Sequence, residues 1–116
     1  MDSSHLFLAM TNPVPGKEDE FNRFYDEVHC DDVIGSPGWV AVQRYKLANE
    51  QRSDQSPPWQ YMAIYEVDLP DGQILAALKQ RPDIGPHGRP QPPLWANDDQ
   101  VWIYSKYGPR HVQKRS

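Results

Sequence analysis

Residues 21–32, FNRFYDEVHCDD, hold the side chains of this chain best suited to chemistry. At helical spacing Phe21, Phe24, Tyr25 and Val28 form one apolar stripe. At about 100° per residue Asp32 projects onto the middle of that stripe, and His29 falls on its edge beside Tyr25. A carboxylate and an imidazole one turn apart, on or beside an apolar face, are costly to bury without a purpose. If the helix continues through both, Asp32 can hydrogen-bond one imidazole nitrogen, fix the tautomer and raise the basicity of the other. His29 then becomes a general base or acid near neutral pH, and Tyr25, one turn earlier, can donate to a substrate carbonyl. The plainer alternative makes His29 a partly exposed helix residue and Asp32 a cap for the following loop.

Other residue types add to this cluster or fall away from it. Arg44 shares a strand face with Val40 and Val42 and needs an acceptor. That acceptor is either a ligand carboxylate or phenolate, or a structural partner such as Glu66, Asp31 or Asp32. Tyr61 and Tyr65 share one face of a later strand, and with Phe24 and Arg44 they are the expected substrate-contacting residues; aromatic core filler is the alternative. Trp39, Trp59, Trp95 and Trp102 are expected as core or dimer-interface anchors. Cys30 lies off the stripe with no nucleophile-and-base arrangement around it, so no covalent role is assigned. Adjacent helix residues point apart, so of His29, Cys30, Asp31 and Asp32 only the first and last could share a metal. Two ligands make a poor site, and no metal is expected. The seven glycines sit at turns and none forms a phosphate-cradling loop, so no nucleotide cofactor is expected either.

The elements that must position these residues are set by hydrophobic pattern. Residues 5–12, HLFLAMTN, are apolar at both parities, the mark of a buried strand that ends at Asn12-Pro13. Glu18, Asp19 and Glu20 open a helix at its positive dipole end, and the Gly35-Ser36-Pro37-Gly38 run stops it near Val33. Strands are predicted over 39–47, 59–67 and 100–107, with a polar loop over 48–58. A short helix begins after Pro70-Asp71-Gly72, with Ile74, Leu75 and Leu78 facing inward, and ends near Arg81-Pro82. Residues 82–97 carry five prolines and read as a loop, and a basic tail covers 108–116. The order βαββαβ is that of the α+β ferredoxin-like fold, a four-stranded antiparallel sheet with two helices on one face. Two helices cover one face, yet strands one, three and four are apolar on both. A second copy packed sheet against sheet is the physical remedy, so a homodimer is expected.

Composition bounds the rest. The 116 residues suffice for one domain, residues 1–116, with four Trp, six Tyr and three Phe to build a small core. Net charge is −4 and mean hydropathy −0.80. Residues 1–32 hold eight acids against two bases. No basic patch interleaved with aromatics points to nucleic acid. One cysteine permits no intrachain disulfide. The opening MDSSHLFLAM lacks the basic start and apolar length of a secretory leader. No apolar run approaches the roughly 20 residues of a membrane span, and the expected location is cytoplasmic.

The stretch LFLAMTNPVPGKEDEFNRFYDEVHCDDVIGSPGWVAVQRYKL resembles the EthD-like members of the dimeric α+β barrel superfamily. The resemblance rests on a strand, a turn, a helix bearing Phe24-Tyr25-x-x-x-His29, a loop ending in Pro37-Gly38, and a strand with Arg44. YMAIYEVD matches the family's third strand. The match spans about the first seventy residues, and segment 82–97 has no counterpart in it. The resemblance implies sheet-to-sheet dimers that form an α+β barrel, with a cavity beside the helices for hydrophobic or aromatic small molecules. It also implies activities among dehydration, cyclisation, isomerisation, cofactor-free oxygenation and haem degradation.

The residues and the resemblance together lead to an expected cofactor-independent acid/base enzyme, of lyase, isomerase or cyclase type. It would act on a small hydrophobic, aromatic or polyketide-like molecule. His29 would move the proton, Asp32 would orient it, and Tyr25 or Arg44 would stabilise oxyanion charge. Two alternatives stand: a cofactor-free or haem-dependent monooxygenase of the same fold, and a non-catalytic small-molecule-binding dimer.

Overall fold

A computed structural model of the chain describes residues 3–79 and 93–114. In chain order the elements are β1 (His5–Thr11), α1 (Glu18–Phe24), a π-helical segment (Tyr25–His29), α2 (Cys30–Ile34), β2 (Trp39–Lys46), β3 (Tyr61–Val67), α3 (Ile74–Lys79) and β4 (Gln100–Ser105). All neighbouring strands are antiparallel in the order β2-β3-β1-β4. This is the expected ferredoxin-like α+β architecture. The expected end of the second helix near Arg81-Pro82, and the part of the Pro-rich stretch up to residue 92, lie outside the described residues.

Three physical details depart from the pattern expected of the sequence, and each moves a side chain. The helix over 18–34 is not uniformly α. The Cys30 amide bonds the Tyr25 carbonyl, the i→i+5 pattern of a π turn. The extra residue in that turn rotates the rest of the helix, so Cys30, expected off the stripe, is buried. At the start of β2, register slips between Trp39 and Ala41, a bulge that leaves Val40 out of phase. Trp39, rather than Val40, therefore shares the inner face with Val42 and Arg44. In α3, Ile74 and Ala77 are buried, whereas Leu75 is 50% exposed. The inward row of this short helix is thus Ile74 and Ala77, with Leu78 partly buried beside them. Entry to the bulged strand is fixed at Gly38. Its φ is +79°, and an added Cβ would meet the Leu69 side chain at 2.3 Å, so only glycine fits.

One sheet face packs on the helices. Phe7, Ala9, Trp39, Tyr61, Ala63, Tyr65 and Val67 are buried there against Phe21, Phe24, Tyr25 and Val33. The other face has no layer over it among the described residues. Register places Leu8 between Ile64 and Trp102, and Leu6 between Glu66 and Tyr104. Trp102 is 52% and Tyr104 60% exposed. The double-sided apolar pattern of the strands thus corresponds to one face that is filled over β1, β2 and β3 but open over β4, where Val101 and Ile103 are exposed, and a second face with no layer over it among the described residues.

Candidate functional site

The site is built where α1 passes into the π segment. Tyr25 and His29, four residues apart, stand in edge-to-face contact, with ring centroids 4.9 Å apart and planes at 86°. Trp95 packs on both, at 5.2 Å from Tyr25 and 5.3 Å from His29, and Phe24 lies 6.1 Å from His29. His29 is only 5% exposed, and Asp32 is buried as well. A cavity of about 670 Å³ opens beside this cluster. Its wall is mainly apolar and is drawn from β1, β3, β4, α2, α3 and the π segment, with Phe7, Val33, Leu78, Val101 and Ile103 among its residues. Tyr25, His29, Tyr65 and Trp95 also face it. A cavity of this size and lining suits one small ring-containing molecule.

The residues singled out in the sequence divide into two groups. Tyr25, His29 and Tyr65 line the cavity; Asp32, Phe24, Tyr61 and Arg44 do not. Arg44 lies behind Tyr25. Its Nη1 donates to Asp26 Oδ1 at 2.9 Å and its Nη2 to Asn22 Oδ1 at 2.7 Å. Its Cζ sits 4.3 Å from the Tyr25 ring centroid, in cation–π range. The expected structural partners Glu66, Asp31 and Asp32 are thus replaced by Asp26 and Asn22, because Asn22 on α1 and Asp26 one turn later in the π segment both face the guanidinium fork. Tyr61 belongs to the same polar seam: its hydroxyl accepts from Asn22 Nδ2 at 3.1 Å and donates to Glu18 Oε2. That hydrogen bond and Lys46 nearby hold the Glu18 carboxyl below its ordinary range.

Burial sets the protonation of the phenols and of the thiol. It pushes the Tyr25 hydroxyl up, partly opposed by hydrogen bonds with Trp95 and Thr11 and by the Arg44 charge. The Tyr65 hydroxyl is pushed far up by the same desolvation. Both phenols stay protonated at neutral pH and remain donors. Cys30 is pushed up to about 11, chiefly by burial, which leaves it a thiol rather than a nucleophilic thiolate. Among the described residues no group of three or more His, Cys, Asp or Glu could hold a metal ion.

Trp95, expected as a core or interface anchor, packs against the core and also lines the cavity. It falls in a proline-rich stretch with no periodicity, yet it pairs with Pro13 as an isolated bridge. Hydrogen bonds from Val14 N to Leu94 O and from Ala96 N to Asn12 O, both 2.8 Å, fix its backbone beyond the end of β1. Those bonds use main-chain groups alone, so side-chain pattern carried no trace of them.

No family model matches the chain, and no curated protein matches it in sequence. No helix among the described residues is long and apolar enough to cross a membrane. Among solved structures the chain is similar to a "putative monooxygenase" from Shewanella loihica PV-4, with a TM-score of 0.52 and 18% identity. The match covers 98% of this chain and 100% of that one. At that identity the likeness establishes the ferredoxin-like α+β fold.

Proposed function

We propose that the chain is a cofactor-independent acid/base enzyme acting on a small, largely apolar ring molecule in the cavity beside His29. The observation that carries this is the position of His29: buried, yet on the wall of an apolar cavity and flanked by Tyr25. His29 takes a proton from the ligand, and the negative charge that develops falls on a ligand oxygen. Tyr25, kept protonated by its burial, donates to that oxygen. Arg44 acts through Tyr25 as a positioning residue, its charge stacked on the far face of the ring. Asp32, off the wall, would orient His29 rather than touch the ligand. Membership in the EthD-like group, on Phe24-Tyr25-x-x-x-His29, Pro37-Gly38 and Arg44, is part of this reading.

A second reading is a cofactor-free monooxygenase, favoured by the Shewanella loihica structural neighbour. It begins with the same proton removal. The carbanion then reacts with O2, one oxygen atom becomes a ring carbonyl and the other leaves as water. A haem-dependent version would require iron–porphyrin at His29, the one described histidine on the cavity wall. Three aromatic rings already enclose that imidazole, so the residues do not fit haem.

Incubation with a panel of two- and three-ring phenols and ring ketones, followed by absorbance and an oxygen electrode, separates these readings. Turnover without O2 uptake is expected for acid/base chemistry, and one O2 per turnover for oxygenation. Binding without turnover of any panel member would identify a non-catalytic binder and overturn both.

We also propose that the open sheet face is covered by a second copy of the chain. Leu6, Leu8, Met10, Met62, Ile64, Trp102 and Tyr104 lie on one side of the sheet by register, an apolar surface of the kind that marks an interface. Light scattering at micromolar concentration should give twice the 13.4 kDa chain mass, and Leu8→Lys should return it to the single-chain value. A wild-type particle of one chain mass would sink the dimer.

A further inference from the structure

We propose that the Tyr65 hydroxyl is the specificity-determining hydrogen-bond donor of the cavity, selecting ring molecules that carry a carbonyl or phenol oxygen. This rests on the cavity being the ligand site of the proposed function.

Tyr65 presents a buried polar atom that no described residue bonds. The residue is 1% exposed, and its hydroxyl has no hydrogen-bond partner among the described residues. Buried hydroxyls are nearly always paired, and each exception calls for a reason. Packing does not supply one. The Tyr65 ring makes edge-to-face contacts with Phe7 at 5.7 Å and Trp39 at 5.5 Å, and a phenylalanine would make the same contacts without a stranded oxygen. The other cavity phenol differs, since Tyr25 has Thr11 and Trp95 beside its hydroxyl. Tyr65 lines the cavity and is closed to bulk solvent, and no described residue bonds its hydroxyl, so the contents of the cavity are the partner the described residues leave for it. Burial keeps the phenol protonated, so it offers a proton and asks for an acceptor oxygen. A wholly apolar ligand would leave it stranded, and a ligand with one ring oxygen would satisfy it. A site built to bond one oxygen rejects the analogue that lacks it.

Two probes of the same shape test this: 1-acetonaphthone, which carries an acceptor oxygen, and 1-isopropenylnaphthalene, in which CH2 replaces that oxygen. Equilibrium dialysis against wild type should show the ketone bound about tenfold more tightly, the yield of one net hydrogen bond. In Tyr65→Phe the ratio should fall to near one through weaker ketone binding alone, with hydrocarbon affinity unchanged. The ligand-free variant should melt no lower than wild type, since the removed hydroxyl had no partner among the described residues.

Three results would overturn the assignment while sparing the cavity reading: a wild-type ratio near one, a ratio kept in Tyr65→Phe, or a lower melting temperature for the variant. Failure of both probes to bind wild type would overturn the cavity reading and this inference together.

Discussion

His29→Gln should lose turnover on any substrate found by about 10²–10⁴-fold, the range expected when a positioned acid/base is removed. Glutamine is close to histidine in size and keeps hydrogen-bonding capacity, but it cannot carry a proton near neutral pH. The choice matters because His29 is packed by the rings of Phe24, Tyr25 and Trp95. His29→Ala would open a hole among those rings and mix a packing loss with a chemical one. The pH–rate profile separates the two: a base at His29 gives wild type a limb that rises with pH, and the Gln variant should lose that limb as well as the rate. A merely structural histidine would lower the whole profile and leave its shape intact. Full activity in His29→Gln would end the acid/base assignment, although the cavity and the fold would stand.

The sequence exposed the fold more fully than the site, for reasons particular residues make clear. Element order was legible because strands alternate or bury with period two, and because Pro37-Gly38 and Pro70-Asp71-Gly72 interrupt the pattern sharply. The stripe of Phe21, Phe24 and Tyr25 was legible for the same reason, and it brought His29 into view. The hidden features depend on backbone departures of a single residue. The π turn over Tyr25–His29 rotates Cys30 inward, and the bulge at Val40 moves Trp39 to the inner face. Neither is legible from hydrophobic pattern, because a one-residue phase shift inside elements this short leaves too few residues on either side to define the phase. The partner of Arg44 was hidden for another reason. Asp26 and Asn22 are four residues apart on the helix, and only the crossing of α1 over the sheet decides which carboxylate meets the guanidinium. The cavity wall is divided in the same way. Tyr25 and His29 are set by helix pattern, whereas Trp95 arrives through main-chain hydrogen bonds to residues 12 and 14.

Phe21→Ala should destabilise the fold by about 3–5 kcal/mol, the usual loss when a buried aromatic is truncated and its cavity relaxes only in part. Phe21 is fully buried. Its ring lies 5.1 Å from Tyr25, 5.4 Å from Tyr61 and 5.4 Å from Trp95, with the Arg44 guanidinium 5.7 Å away. It therefore joins the helix, the sheet and the segment after residue 93 at one point. A domain of this size has about 5–15 kcal/mol in all, so the loss takes a large share of the total. With a urea slope of about 2 kcal/mol per molar, the unfolding midpoint should fall by roughly 2 M. Tyr107→Ala, at a residue 99% exposed, should change stability by no more than about 0.5 kcal/mol. Phe21→Leu should recover much of the loss by refilling the volume, while leaving Tyr25 and Trp95 without their aromatic neighbour. If Phe21 does position these two rings of the cavity wall, the Leu variant will fold yet bind ring ligands less tightly. A midpoint for Phe21→Ala within about 0.5 M of wild type would show that the core's stability does not converge on this ring.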